Sequence, residues 1–406
     1  MTTGTAEAFA NRARGILNGL EARGEYKHLQ VIDGPMDATV RLRAEDGKFH
    51  EALCFCSNNY LGLANHPEVV EAGIAGLRKY GAGTASVRFI CGTFTPHLEL
   101  EERIARFLGV ESAYTFVSCW NASEAVFPTL AEPGDAIVSD ALNHACIIDS
   151  IRLAGVIKKG VQKFIYPNND LGALEEKLGE ARTKVDDEHV IWVVTDGVFS
   201  MEGSVADLPA MRRLCDAHGA ILVVDDSHGT GVLGRTGRGT HEHHGMAGNA
   251  VDLFTGTLGK ALGGGAGGYI AGPRHATELV VQRGRPTLFS NALPVTVACS
   301  ASKAIEIIDR EPERVARLRE NVAYARKKIR AAGFEVLESP TAICPVIVGE
   351  TAKAISMSKR LLELGVYVIG FGFPVVPEGE ARLRCQISAA HTREHIDTLA
   401  DALAKL

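Results

Sequence analysis

Thr255-Gly256-Thr257-Leu258-Gly259-Lys260-Ala261-Leu262-Gly263-Gly264-Gly265 follows directly on the apolar run Val251-Asp252-Leu253-Phe254. A strand that ends in hydroxyls, one lysine and a cluster of glycines sets an amine at the edge of a sheet, where a ligand can reach it. Such an amine can form a Schiff base with an aldehyde cofactor. The hydroxyls can hold a phosphate, and the glycines leave room for a flat ring. Taken alone, the same letters also fit a glycine-rich turn with a solvated lysine.

The sequence around this stretch favours a sheet. Between about residues 97 and 290, short apolar runs alternate with helical segments. The runs are Ala113–Val117, Ala136–Val138, Val190–Val194, Ile221–Val224 and Val251–Phe254, with helices expected over Leu98–Leu108 and Ala210–Ala217. That alternation predicts an α/β fold with a mostly parallel sheet covered on both faces. Beyond residue 300 the pattern changes. A charged helix over Glu311–Ala332 precedes shorter runs at Phe334–Leu337, Cys344–Val348, Val366–Ile369 and Ala381–Cys385, then a helix over Arg393–Leu406. The expected division is a large domain over 61–300 and a smaller C-terminal α+β domain over 301–406. Residues 1–60 are expected to form an N-terminal segment packing with the small domain, or else to wrap the large one.

Composition narrows the function classes. The 406 residues are 46% hydrophobic and 23% charged, with a net charge of −6, so no basic footprint points to nucleic acid or an anionic membrane. No apolar segment is long enough to span a bilayer, and Met1–Glu7 lacks the layout of an export signal. Nine cysteines without CxxC spacing fit reduced thiols in a cytoplasm.

Three successive strands end in polar residues. Ile191–Val194 runs into Thr195-Asp196-Gly197-Val198-Phe199-Ser200, Ile221–Val224 into Asp225-Asp226-Ser227-His228, and the third into Thr257 and Lys260. An acid, an imidazole and an amine at neighbouring strand ends converge on one pocket. Asp225 or Asp226 could pair with a pyridinium nitrogen and keep the ring an electron sink, while His228 donates to a ring oxygen. The alternative is that Asp225 and His228 cap a following helix. Other motifs carry less. Gly229-Thr230-Gly231-Val232-Leu233-Gly234 matches a dinucleotide fingerprint by letters, but Arg235–Thr240 is too glycine-rich to open the required helix. Gly259-Lys260 is not a P-loop, because Phe254 stands where its first glycine belongs. His241, His243 and His244 read as a polar surface loop rather than a metal site, and Cys54 and Cys56 as core residues.

With Lys260, Asp225 and His228 in place, the chain resembles the α-oxoamine synthase family of pyridoxal phosphate enzymes, fold-type-I proteins that join an amino acid to an acyl-CoA or run the reverse. The resemblance covers almost the whole chain. It rests on segments such as Cys56–Pro67, Ala85–Thr93, Ser139–Ala145, Arg285–Asn291 and Ser388–His391. It implies a seven-stranded sheet, pyridoxal 5'-phosphate on Lys260, and coenzyme A or acyl-CoA as co-substrate. Asp225 would bind the pyridine nitrogen, His228 the phenolic oxygen, and His144 would stack on the ring. Cys119 and Trp120 backbone with Thr257 would hold the phosphate, completed by Ser290 and Asn291 of a second subunit in a homodimer. Asn58, Ser200, His144 and Arg384 would face the substrate, Arg384 as a fork on its α-carboxylate. The implied reaction interconverts glycine plus acetyl-CoA with 2-amino-3-oxobutanoate plus CoA. Two stretches depart from that branch of the family, Gly229-Thr230-Gly231 and Cys119–Ala125. They bear on which amino acid or acyl chain fits, so a sibling synthase with another amino acid or a longer acyl-CoA is the alternative, ahead of a lyase or aminotransferase.

Overall fold

The computed structural model describes residues 3–44, 47–373 and 375–406; Met1 and Thr2, part of the N-terminal stretch read above, lie outside them. The strands in chain order are β1 (Thr39–Arg43), β2 (Phe49–Cys54), β3 (Ser112–Phe116), β4 (Ala136–Asp140), β5 (Gln162–Tyr166), β6 (Ile191–Asp196), β7 (Ala220–Asp225), β8 (Leu253–Thr257), β9 (Gly268–Gly272), β10 (Ile343–Gly349), β11 (Val366–Tyr367), β12 (Ile369–Phe371) and β13 (Ala381–Gln386). Seven of them form one sheet in the order β3-β9-β8-β7-β6-β4-β5. All its pairings are parallel except the two made by β9.

Side chains alternate across this sheet between two separate cores. Val138, Val193, Leu222, Val224, Phe254 and Tyr269 pack on one face. Ile137, Trp192, Val194, Val223, Leu253 and Ile270 pack on the other. Both faces are buried, which is why these strands read as unbroken apolar runs rather than as alternating ones. The five runs recognised in the sequence are all strands. Two more, Gln162–Tyr166 and Gly268–Gly272, gave no comparable signal: Lys163 lies exposed within β5, and β9 begins and ends in glycine.

Two three-stranded sheets stand apart from the large one, β1-β2-β11 and β10-β13-β12. The N-terminal strand β2 pairs with β11 through Leu53–Val366 and Cys54–Tyr367. The run Val366–Ile369 is not one strand. Val366–Tyr367 joins β2, while Ile369–Phe371 joins β13 in the other sheet. Phe334–Leu337, expected as a strand, makes only an isolated bridge from Val336 to Val346. Leu337 N–H donates to Pro345 O at 3.4 Å, but Pro345 has no N–H to return the bond, so the ladder stops there. The Leu337 carbonyl is taken by the Arg326 guanidinium instead. The helix Val295–Arg310 runs through residue 300 and packs on the helix Pro67–Tyr80. Glycines make the contact possible, since a Cβ on Gly73 would sit 2.5 Å from Ser300 Oγ. Among the described residues, no helix is long and apolar enough to cross a membrane.

Candidate active site

The site lies at the carboxyl ends of β6, β7 and β8, whose register sets Asp196 beside Asp225 and Asp225 beside Thr255. Asp225 is buried. Its Oδ2 accepts from Thr255 Oγ1 at 2.7 Å and from Cys119 Sγ at 3.6 Å, and its Oδ1 from Ser227 N–H at 3.0 Å. No helix follows for Asp225 or His228 to cap. Residues 226–239 instead fold into turns around Asp226, which accepts from Thr230 Oγ1 (3.0 Å), Thr240 N–H (3.0 Å) and Thr240 Oγ1 (2.5 Å). The loop Gly229–Gly234 is therefore organised from within, and burial raises the Asp226 carboxyl to about 7. That makes Asp226 a structural acid and leaves Asp225 to face the pocket.

Lys260 is partly buried and forms no hydrogen bond or ion pair among the described residues. Burial lowers its pKa against the opposing pull of Asp225, Cys119 and Asp196, and Arg384 pushes the same way as burial. Less positive charge on the amine means more of the nucleophilic form. His228 is buried among Lys260, Arg384 and His144, and burial with these cations takes its pKa far down. It stays neutral. His144 caps the helix Ala145–Ile157, its Nδ1 accepting from Cys146 N–H at 3.2 Å. Cys146 Sγ lies 2.9 Å from the same nitrogen and raises the His144 pKa.

Asp196 is a site residue to which the sequence reading gave no role. Its Oδ2 accepts from His144 N–H at 3.1 Å, while its Oδ1 is buried without a partner. Burial, then the nearby Asp225, pushes its pKa well up. Its signal was the Thr195-Asp196-Gly197 strand end, one of the three polar strand ends in the sequence.

Cys119 and Trp120 open the helix Cys119–Leu130, capped by Ser118 Oγ accepting from Asn121 N–H at 3.1 Å. The first N–H groups of that helix have no intrahelical partner and form an anion-binding end. Trp120 is 40% exposed and tied to Glu124 by an Nε1–H to Oε1 bond of 3.0 Å. Thr257 Oγ1 accepts from Gly259 N–H at 3.1 Å and donates to Gly267 O at 3.2 Å. Arg384, on β13, is 8% exposed, yet its Nε and Nη2 have no partner. An unsatisfied buried guanidinium costs free energy unless a ligand answers it. Asn58 Oδ1 accepts from Gln386 Nε2 at 2.8 Å. Ser200 lies in the turn after β6, partly exposed. Ser290 lines a groove with Asn121, Phe289 and Arg285, Asn291 bridges Val87, and no hydrogen bond links either residue to Asp225, His228 or Lys260. Of the three clustered histidines, His241 is buried against Phe254 rather than lying in a polar loop.

These groups fit pyridoxal phosphate: an unpaired amine for the aldehyde, a buried carboxylate for the ring nitrogen, helix N–H groups for the phosphate and a guanidinium with unpartnered nitrogens. Comparison with known proteins agrees. Residues 51–403 match the family described as aminotransferase class I and II, and the chain belongs to it. Within that family it is an α-oxoamine synthase, a pyridoxal-phosphate-dependent acyltransferase. It is 44% identical over 394 residues to 2-amino-3-ketobutyrate coenzyme A ligase of Salmonella typhimurium, covering 96% of each chain. It is 43% identical over 392 residues to 8-amino-7-oxononanoate synthase of Symbiobacterium thermophilum, again covering 96% of each. A structure of serine palmitoyltransferase from S. paucimobilis with a bound PLP–myriocin aldimine superposes with a TM-score of 0.88 at 29% identity, covering 98% of this chain and 97% of the other.

The anion-binding helix end depends on β9. A Cβ at Gly268 would lie 2.3 Å from Cys119 Cα and 2.4 Å from its N. Both are backbone atoms that cannot step aside. Gly268→Ala should push the helix start off the sheet, lower stability by about 1–3 kcal/mol and weaken pyridoxal phosphate binding. Urea unfolding with a cofactor titration measures both; unchanged values in the two would contradict the close approach.

Proposed function

We propose that this chain is a cytoplasmic, homodimeric acyltransferase that interconverts glycine plus acetyl-CoA with 2-amino-3-oxobutanoate plus CoA. The observation that carries the reading is Arg384, a buried guanidinium with two unpartnered nitrogens in the company of Lys260, as a small amino acid's carboxylate requires. Lys260 holds the cofactor and, once released, moves the α-proton. Its burial-lowered pKa suits that task. Asp225, held by Thr255 and Ser227, meets the ring nitrogen. His228 meets the phenolic oxygen, and His144 covers the ring face. Cys119, Trp120 and Thr257 take the phosphate, and Asn58 and Ser200 border the amino acid. Bound pyridoxal phosphate supplies an electron sink for the charge that develops at the α-carbon.

Resemblance to the 2-amino-3-ketobutyrate ligases supports the glycine and acetyl-CoA assignment. The nearly equal identity to an 8-amino-7-oxononanoate synthase, with Trp120 and Glu124 joined beside the phosphate end, supports a second reading with another amino acid or a longer acyl-CoA. A panel of amino acids against acyl-CoAs of increasing length, followed by thiol release, separates the two. The first reading requires the highest kcat/KM with glycine and acetyl-CoA.

The dimer is read from the resemblance of Ser290 and Asn291 to residues that complete a neighbouring chain's phosphate site. If they serve the neighbouring site, mixing inactive Lys260→Ala and Ser290→Ala proteins should restore part of the activity through hybrid dimers with one intact site. A fully active monomer in sedimentation would contradict it.

A further inference from the structure

We infer that Tyr60 positions His228 by donating its hydroxyl proton to Nδ1, which leaves the single imidazole proton on Nε2. The Tyr60 side chain is fully buried, with its hydroxyl oxygen 2.8 Å from His228 Nδ1. The two rings meet edge-on at 6.0 Å between centroids. Tyr60 is itself fixed: its carbonyl accepts from Ala389 N–H at 2.8 Å, and Ser388 Oγ donates to the neighbouring Asn59 carbonyl at 2.7 Å.

The proton count decides the direction. A phenol has one proton to give, and Tyr60 has two acceptors within reach. Asn58 Oδ1 is farther, at 3.3 Å, and already receives Gln386 Nε2 at 2.8 Å. The nearer acceptor, Nδ1, has no other donor. The charged and titratable groups around His228 are Lys260, Arg384, His144 and Tyr60. The first three, with burial, hold the imidazole neutral. Burial also holds the Tyr60 hydroxyl protonated, its pKa driven up. A neutral imidazole that accepts at Nδ1 must carry its proton at Nε2. Nε2 makes no hydrogen bond among the described residues, so its N–H points a donor at whatever enters the site. In the opposite tautomer, Nε2 would present a lone pair to an oxygen that also carries lone pairs. The role of that donor rests on the reading proposed above, in which Nε2 meets the cofactor's phenolic oxygen; the tautomer itself does not.

The test uses the full chain labelled with ¹⁵N-histidine, with and without bound pyridoxal phosphate. The His228 signals are identified by their loss in His228→Asn. The expected result is an unprotonated Nδ1 and a protonated Nε2 in both forms. In Tyr60→Phe both tautomers should become populated. The pH midpoint of the bound cofactor's visible band should then rise by roughly half a unit or more, because one hydrogen bond to the phenolic oxygen is weakened. A proton on Nδ1 in the unaltered chain overturns the inference, and that measurement stands even if Tyr60→Phe does not fold. An unchanged tautomer in Tyr60→Phe overturns it whatever the band does. Failure to bind pyridoxal phosphate at all removes the proposed function, and the cofactor-free chain then still decides what Tyr60 does.

Discussion

Lys260→Ala protein should retain its fold, bind pyridoxal phosphate only reversibly and lose activity by a factor on the order of 10⁴ or more, the usual scale when one member of a catalytic unit is removed. Lys260 makes no bond that the fold depends on, and its pKa is lowered by burial. An alanine leaves a space and no broken ion pair. In unaltered protein, borohydride should fix the cofactor covalently at Nζ, and peptide mapping should find it on Lys260. In Lys260→Ala the cofactor should wash out on dialysis. A reduced cofactor on any other lysine, or full activity in the alanine variant, would end the assignment.

Arg384→Ala should leave the cofactor and its colour in place while weakening glycine binding by about 2–5 kcal/mol, the range found when one partner of a hydrogen-bonded charge pair is truncated. That corresponds to a loss of roughly 30-fold to several thousand-fold. The guanidinium has no partner at Nε or Nη2, so its removal breaks little inside the protein. The loss should therefore fall on the ligand rather than on stability. Arg384→Lys should recover little, because a point charge cannot reproduce a two-pronged contact. Acyl-CoA affinity should move far less. Spectral titration with glycine across the three proteins measures the effect. Equal glycine affinity in Arg384→Ala would mean that the carboxylate is held elsewhere.

Where a strand is buried on both faces and filled with large apolar side chains, the sequence was legible. The runs that became β6 and β7 are apolar up to their ends, and the polar last residues of β6, β7 and β8 are the ones that meet in the site. Two strands of the large sheet were silent for opposite reasons. The edge strand β5 carries an exposed lysine, and β9 needs glycine where Cys119 presses on it. The site was read through Lys260, Asp225 and His228 because strand ends have a position that sequence order reveals. Asp196 had that same position and was quoted without a role, since nothing local distinguishes a working acid from a turn residue. Tyr60 could not be found this way, because its partner lies 168 residues along the chain. Phe334–Leu337 had a strand's composition, and it was a proline in the opposite chain segment that cut its ladder short.

The division of Val366–Phe371 between two sheets has a mechanical consequence. β11 belongs with β2, which leads into Asn58, and β12 belongs with β13, which carries Arg384. Only Val368 separates them, so the two sheets are tethered by a span of about two Cα–Cα steps of ~3.8 Å each. Gln386 clasps the same junction from the other side, its N–H on Phe55 O at 2.7 Å and its Nε2 on Asn58 Oδ1 at 2.8 Å. Asn58 and Arg384, distant in sequence, thus ride on a single jaw. In the proposed reading, a displacement of either residue would be shared by the other, and the amino acid would meet both together.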